Sequence, residues 1–387
     1  MDNVETQPDV IEDIKKHVSQ LEQLEQQVPR HAVIGIGEYP IKVLLKGPFV
    51  EKADDTLSMF IDKSSGNIFK WSQSILAERN VLGLDADVDT HFWFHVLHYI
   101  AENSDFVARL KSKSLDKLSD ALVLSSVWDG PGSALLPVMI TQFKTLSVSS
   151  LALVLLPSKA QSPDAYFNAF SAMQALASKD LAPVVLIDRD QLEGYEGVDR
   201  KGTPINGNLM VNYLLEIMRA KERVMQEVSE LSRSFNVKLY TVLSATGVSF
   251  KLYGSLENVL STALFRPLLK FDLASASLLY VLVRAPLQLK DKLSKGKIEL
   301  KVSAWFKERA NLKAVVVTEP LYVDDASDRI DIVMLVGGFD TAELMALLEK
   351  KAKALKSDAL ERGLISKEEW NALSASSDEY YRTILSK

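Results

Sequence analysis

The apolar positions change their period several times along the chain. Ile11, Ile14, Val18, Leu21 and Val28 recur at spacings of three, four or seven, which predicts an amphipathic helix over 9–28, stopped by Pro29. HAVIGIGEYPIKVLL then reads as a short buried strand and a glycine-containing turn. From 80 to 215 the pattern alternates. A helical aromatic stretch over 89–112 precedes a strand at 121–128 and a helix at 135–146. A strand at 149–157, a helix at 162–178 and a strand at 182–188 follow. Near-continuous apolar strands between helices imply an α/β fold with a doubly wound parallel sheet covered on both faces. Ligands of such sheets sit at the carboxyl ends of the strands.

A stretch almost free of Gly and Pro predicts one long helix over about 206–234. Beyond it, KLYTVLS, SLLYVLVRA, KAVVVTEPLYV and RIDIVMLVGGF read as strands, with helices at 255–266 and 289–309. That pattern predicts an α+β domain with a mixed sheet, joined to the first by the long central helix. After Phe339, Leu344, Leu347, Leu348 and Leu355 form a helical stripe that Gly363 breaks, and Ser366 with Glu369 forms a capping box. The expected divisions are an N-terminal helical extension (1–30), the first domain (31–205), the central helix (206–235), the second domain (236–340) and a helical tail (341–387).

Composition narrows the function classes. The 387 residues are 47% hydrophobic and 25% charged, ordinary for a globular chain. Forty-five Lys and Arg against 51 Asp and Glu give a net charge of −6, which argues against a nucleic-acid partner. The absence of cysteine removes disulfides, thiol catalysis and cysteine-ligated metal centres. No apolar run is long enough to span a membrane, and the acidic, polar start does not read as a signal peptide, so a cytoplasmic location is expected.

Six colinear landmarks carry a family resemblance. They are AVIGIG at 32–37, WDGPGSALLPV at 128–138, the pair SLALVLLP and APVVLIDRDQL, FNVKLYTV at 235–242, RPLLKFDLASASLLYVLVRA, and DRIDIVMLVGGFD. In this order they resemble the tubulin/FtsZ superfamily, as a divergent FtsZ-like protein, over about 31–340. The divergence points to an archaeal source. WDGPGSALLPV falls where the family has GGGTGSGAAPV, with Gly130, Gly132, Ser133, Pro137 and Val138 in register. The resemblance implies a nucleotide-binding domain, a central helix and an activation domain.

It also implies a damaged site. In the family, consecutive glycines bring backbone N–H groups and a helix N-terminus to the phosphates. Here Trp128 and Asp129 replace the first two signature glycines, Pro131 the threonine and Ala134 the last glycine. Asp129 adds negative charge and Pro131 lacks an N–H. Glu38, Tyr39 and Pro40 follow the Gly35 and Gly37 turn. The remnant nucleotide-binding set is therefore Gly35, Gly37, Gly130, Gly132, Ser133 and Asn208, the last near the family's base-reading position but equally placed to cap a helix. Asn236, Lys238 and Thr241 align with the loop by which a neighbouring subunit supplies catalytic carboxylates, and would form a subunit interface. No catalytic residue is identified, and family-type GTP hydrolysis is not expected.

His91, His95 and His98 share a helical face among aromatic residues, and Asp85, Asp87 and Asp89 lack the rest of a calcium loop, so no metal is expected. DALERGLISKEEWNAL at 358–373 is similar to short oligomerisation modules. The expected protein is an FtsZ/tubulin-like cytoskeletal or cell-division subunit, a pseudo-GTPase that self-associates or meets another division protein. It needs no cofactor, or takes GTP or GDP if the remnant site binds. The alternative is a GTP-binding filament former that hydrolyses slowly or not at all.

Overall fold

The computed structural model describes residues 31–48, 56–73, 76–85, 87, 89–113, 115–176, 182–221, 223–363 and 366–368. The expected helix at 9–28 and part of the 358–373 module, including Glu369, lie outside the described residues.

The chain opens with β1 (His31–Ile36), α1 (Glu38–Leu44), β2 (Thr56–Asp62), α2 (Ser65–Trp71), β3 (Val81–Gly83), α3 (Trp93–Glu102) and α4 (Ser104–Lys111). Next come β4 (Asp120–Ser126), α5 (Gly130–Thr145), β5 (Ser149–Leu156), α6 (Pro163–Leu176), β6 (Val184–Asp188) and α7 (Arg189–Glu193). The small hairpin of β7 (Gly197–Val198) and β8 (Pro204–Ile205) leads to α8 (Gly207–Arg219) and α9 (Val224–Phe235). The remainder is β9 (Leu239–Ser249), α10 (Phe250–Tyr253), α11 (Leu256–Leu264), β10 (Leu278–Pro286), α12 (Lys295–Lys307), β11 (Ala314–Val317), β12 (Leu321–Val323), β13 (Arg329–Gly337) and α13 (Ala342–Glu361).

Eleven strands form one sheet in the order β11-β10-β13-β9-β6-β5-β4-β1-β2-β3, with β12 also on β10. The first six strands are parallel throughout. The mixed character expected of the second half comes from β13 alone, which runs antiparallel between β9 and β10. That half is not a separate sheet. Three parallel pairs, Val184↔Leu239, Val185↔Tyr240 and Leu186↔Thr241, continue the ladder from β6 into β9.

Alternation along the strands builds a core on each face. Ala32, Ile34, Ala121, Val123, Ala152 and Val154 face one layer, and Val33, Leu122, Leu124, Leu151 and Leu153 the other. With both faces covered, the strands read as unbroken apolar runs.

The single long helix expected over 206–234 is two helices, α8 and α9. The reason is packing. The buried stripe of α8 runs through Leu214 and Met218 and resumes in α9 at Met225. A continuous helix would turn Lys221 and Glu222 onto that stripe, three and four residues past Met218. The helical stretch over 89–112 likewise divides at Asn103, whose backbone is extended.

Candidate functional site

At the carboxyl ends of β1, β2, β4 and β6 lies a cleft of about 630 Å³, of a size that suits a small-molecule ligand. Its walls come from the residues following those strands: Glu38 and Tyr39 after β1, Asp62 at the end of β2, Trp128 and Asp129 after β4, and Arg189 after β6.

The turn into α5 is capped from within. Asp129 is the N-cap, and its Oδ1 accepts the Gly132 N–H at 2.6 Å. Its Oδ2 accepts from Ser126 Oγ, also at 2.6 Å. Ser133 donates both its N–H and its hydroxyl to the Asp129 carbonyl. Pro131 has no N–H to offer. Two of the donors that a helix N-terminus would turn toward an external anion are therefore engaged, and a third is missing.

The remnant glycines are accounted for by packing. A Cβ on Gly130 would lie 2.1 Å from the Thr90 carbonyl oxygen, and one on Gly132 1.7 Å from that of Ser126. Gly37 has φ +90°, and its N–H donates to Ile61 in the β2 ladder at 2.9 Å. Gly35 lies within β1, where a Cβ would meet Leu44 at 2.8 Å.

Charge in the cleft is dominated by carboxylates. Burial pushes Asp129 up to about 7, with Asp62 and Glu38 adding to it against the bonds from Ser126 and Gly132. Burial also pushes Asp62 up to about 6, opposed by the Lys63 amide. Asp62 is 3% exposed, and its Oδ2 has no hydrogen-bond partner among the described residues.

One wall of the cleft is a cluster of aromatic and guanidinium side chains. Trp128 and Tyr39 meet edge to face at 5.4 Å, and the Arg189 guanidinium lies 5.0 and 5.2 Å from their rings. Tyr39 donates to Asn208 Oδ1 at 2.6 Å. Asn208 is thus not the cap of α8; Asn206 is, accepting from Leu209 N–H at 3.3 Å. Facing a nucleoside phosphate, this cleft would present the engaged Gly132 N–H, five lining carboxyl groups and an Asn208 amide bound to Tyr39.

The three residues expected at a subunit interface lie at the other end of the sheet, because Leu239 pairs with the first residue of β6. Asn236 caps α9 in the left-handed conformation, and with Lys238 it lines a second cleft of about 870 Å³. Thr241 is corrected by the structure. It is fully buried inside β9 and donates to the Leu186 carbonyl at 3.0 Å, so it has no surface to give a partner. The match of FNVKLYTV to the family's loop puts it there, whereas its pairing with Leu186 makes it part of a strand. With α8 ending at Arg219, the loop directly after it is 220–223, which carries Lys221 and Arg223.

His91, just before α3, and Asp85 and Asp89 are used structurally. His91 Nε2 is 2.7 Å from Asp164, and Asp85 accepts from the Ser65 N–H and hydroxyl. Among the described residues no group of His, Asp or Glu is arranged to hold a metal ion. Sequence reasoning missed Asp62 and Arg189. Each sits at the carboxyl end of a parallel strand, a position that is itself a signal.

No protein-family model matches the chain, and no curated protein matches it. Solved structures do. CetZ from Methanosaeta thermophila aligns with TM-score 0.67 at 14% identity, over 90% of this chain and 97% of its own. CetZ1 from Haloferax volcanii, a GDP-bound monomer, aligns with TM-score 0.63 at 18% identity over 84% and 99%. TubZ from Bacillus thuringiensis serovar israelensis, a GTPγS-form protofilament, aligns with TM-score 0.60 at 14% identity over 89% and 97%. The element order, the sheet and these alignments agree: the chain has the fold of the tubulin/FtsZ superfamily.

Proposed function

We propose that this chain is a tubulin/FtsZ-like cytoskeletal or cell-division subunit of the cytoplasm whose nucleotide site has become a pseudo-site. The carrying observation is the Asp129 carboxyl group on the Gly132 N–H, a built-in acceptor where a bound phosphate would otherwise sit. The Trp128, Tyr39 and Arg189 stack supports the same reading. Assembly is the role we infer, because the similar structures include a protofilament of TubZ and a two-stranded TubZ filament. No helix among the described residues is long and apolar enough to cross a membrane. Residues 31–205, 206–235 and 236–340 keep the parts of nucleotide domain, central segment and activation domain in this proposal. Hydrolysis is not part of it. Lys221, Arg223 and Lys238 are cations, and Glu227, at the start of α9, accepts from the Tyr280 hydroxyl at 2.7 Å.

A second reading is a GTP-binding subunit with slow hydrolysis. The cleft volume favours it. Calorimetry of GTP on nucleotide-stripped protein separates the two. Absence of binding at high micromolar GTP supports the pseudo-site. Tight binding with GTP-dependent pelleting overturns it.

A further inference from the structure

Positive charge on this acidic chain is concentrated in one segment. Residues 287–313 carry eight lysines and arginines and three carboxylates, in a protein whose net charge is −6. The segment contains α12, the crossover between β10 and β11, and β11 is an edge of the sheet. α12 turns Ile298, Val302, Trp305 and Phe306 into the core. At about 3.6 residues per turn, the opposite side carries Gly296, Lys297, Leu300, Ser303, Ala304 and Lys307.

The chain itself satisfies neither the apolar centre of that side nor its charge. Leu300 is 73% exposed, about one turn from Lys297 and two from Lys307. Leu287, 49% exposed, precedes the same run. On the flank, Lys301 is held by Glu257 at 3.0 Å, and Arg309 lies over the Trp305 ring beside Glu308. Lys292, Lys295 and Lys307 have no carboxylate partner among the described residues, and Lys297 donates to the Asp291 carbonyl. A basic helix with an exposed leucine at its centre suits a membrane surface, where the leucine enters the acyl boundary and the lysine stems reach the headgroups. The net charge of the whole chain opposes approach to an anionic surface, so this patch also selects which side arrives first.

We propose that the outward side of α12 docks the protein on an anionic lipid bilayer, with Leu300 in the headgroup boundary and Lys297 and Lys307 on lipid phosphates. Charge complementarity chooses an anionic partner. Leu300 chooses lipid over nucleic acid, which would leave that side chain in water. α12 returns from the carboxyl end of β10 to the amino end of β11, alongside the strands. The docked face is therefore a flank, and both ends of the sheet stay open. The inference goes beyond the pseudo-site reading and does not depend on it.

The test is flotation of the full chain with vesicles of phosphatidylcholine carrying about 30% phosphatidylglycerol, and with phosphatidylcholine alone. Wild type should float with the first and not with the second. It should come off as salt rises from about 0.1 M to about 1 M, where the screening length falls from about 10 Å to about 3 Å. Lys297→Gln with Lys307→Gln should weaken binding roughly twenty- to thirtyfold, about fivefold per lysine. Leu300→Gln should weaken it about tenfold and leave the salt dependence in place. All three positions are exposed, so these variants should fold as wild type does. Lys350→Gln with Lys353→Gln removes the same charge from exposed positions of α13 and should change binding by less than about twofold. Absence of flotation at low salt, equal flotation with phosphatidylcholine alone, or an equal loss in the α13 variant would overturn the proposal. Tighter binding to a duplex oligonucleotide than to the anionic vesicles would overturn it as well.

Discussion

The Oδ1 of Asp129 lies 2.6 Å from the Gly132 nitrogen, so helix α5 is closed by the residue that precedes it. A negative charge at a helix start is stabilising, and an internal one leaves less field for an external anion.

Restoring the family's glycines should therefore open the site. A Trp128→Gly, Asp129→Gly, Pro131→Thr variant removes the plug, the charge and the missing N–H together. Calorimetry should detect GTP binding in this variant and none in wild type. Loss of the cap should cost about 0.5–2 kcal/mol, seen in denaturant unfolding.

Asp62 and Asp129 make stability depend on pH. Both are raised from 3.8, to about 6 and about 7, so between these values the folded state holds more protons than the unfolded one. Stability contributed by the protonated forms is present at low pH and is lost as pH rises through about 4 to 7. The melting temperature of Asp129→Asn should fall less than that of wild type over this window. Asparagine keeps an acceptor for the Gly132 N–H and cannot ionise.

Two glycines should respond with opposite sign. Gly132→Ala sets a Cβ 1.7 Å from a backbone oxygen and should destabilise by more than about 3 kcal/mol. Gly296, in α12, has nothing within 4 Å of an added Cβ, so Gly296→Ala should stabilise by about 0.4–1 kcal/mol. Urea unfolding measures both.

Asp331 is fully buried and accepts from Gly247 N–H, the Tyr213 hydroxyl and Arg284 Nε at 2.8–3.0 Å. Asp331→Ala leaves the Arg284 guanidinium buried with Glu216 as its one remaining ionic partner among the described residues. The expected loss is about 3–5 kcal/mol, read as a lowered melting temperature.

The strand and helix periods from 120 onward were legible because parallel strands covered on both faces leave long apolar runs such as LALVLLP. The break after Arg219 was not. Nothing in RAKERV stops a helix by itself, and only the packing of Met218 and Met225 shows why Lys221 leaves the stripe. Thr241 was placed at an interface by the match of FNVKLYTV to the family's loop, which does not show that β9 buries it. The chemistry of Asp129 was half legible. Its charge was visible in the sequence, but its role as the α5 cap and its raised pKa depend on Ser126, Asp62 and Glu38. Asn208 was placed near the right cleft, while its partner Tyr39 comes from 169 residues away.

The β6–β9 ladder has a further consequence during synthesis. Strands β1 to β5 find all their partners within β1 to β6, so that part of the sheet can close once residue 188 has emerged. The outer edge of β6 then waits for β9, whose first residue is Leu239, roughly fifty residues later. At about 5–20 residues per second the nascent protein spends several seconds with an open, apolar edge. Aggregation during expression should therefore be governed by that interval, and truncation after α9 should make the edge permanent.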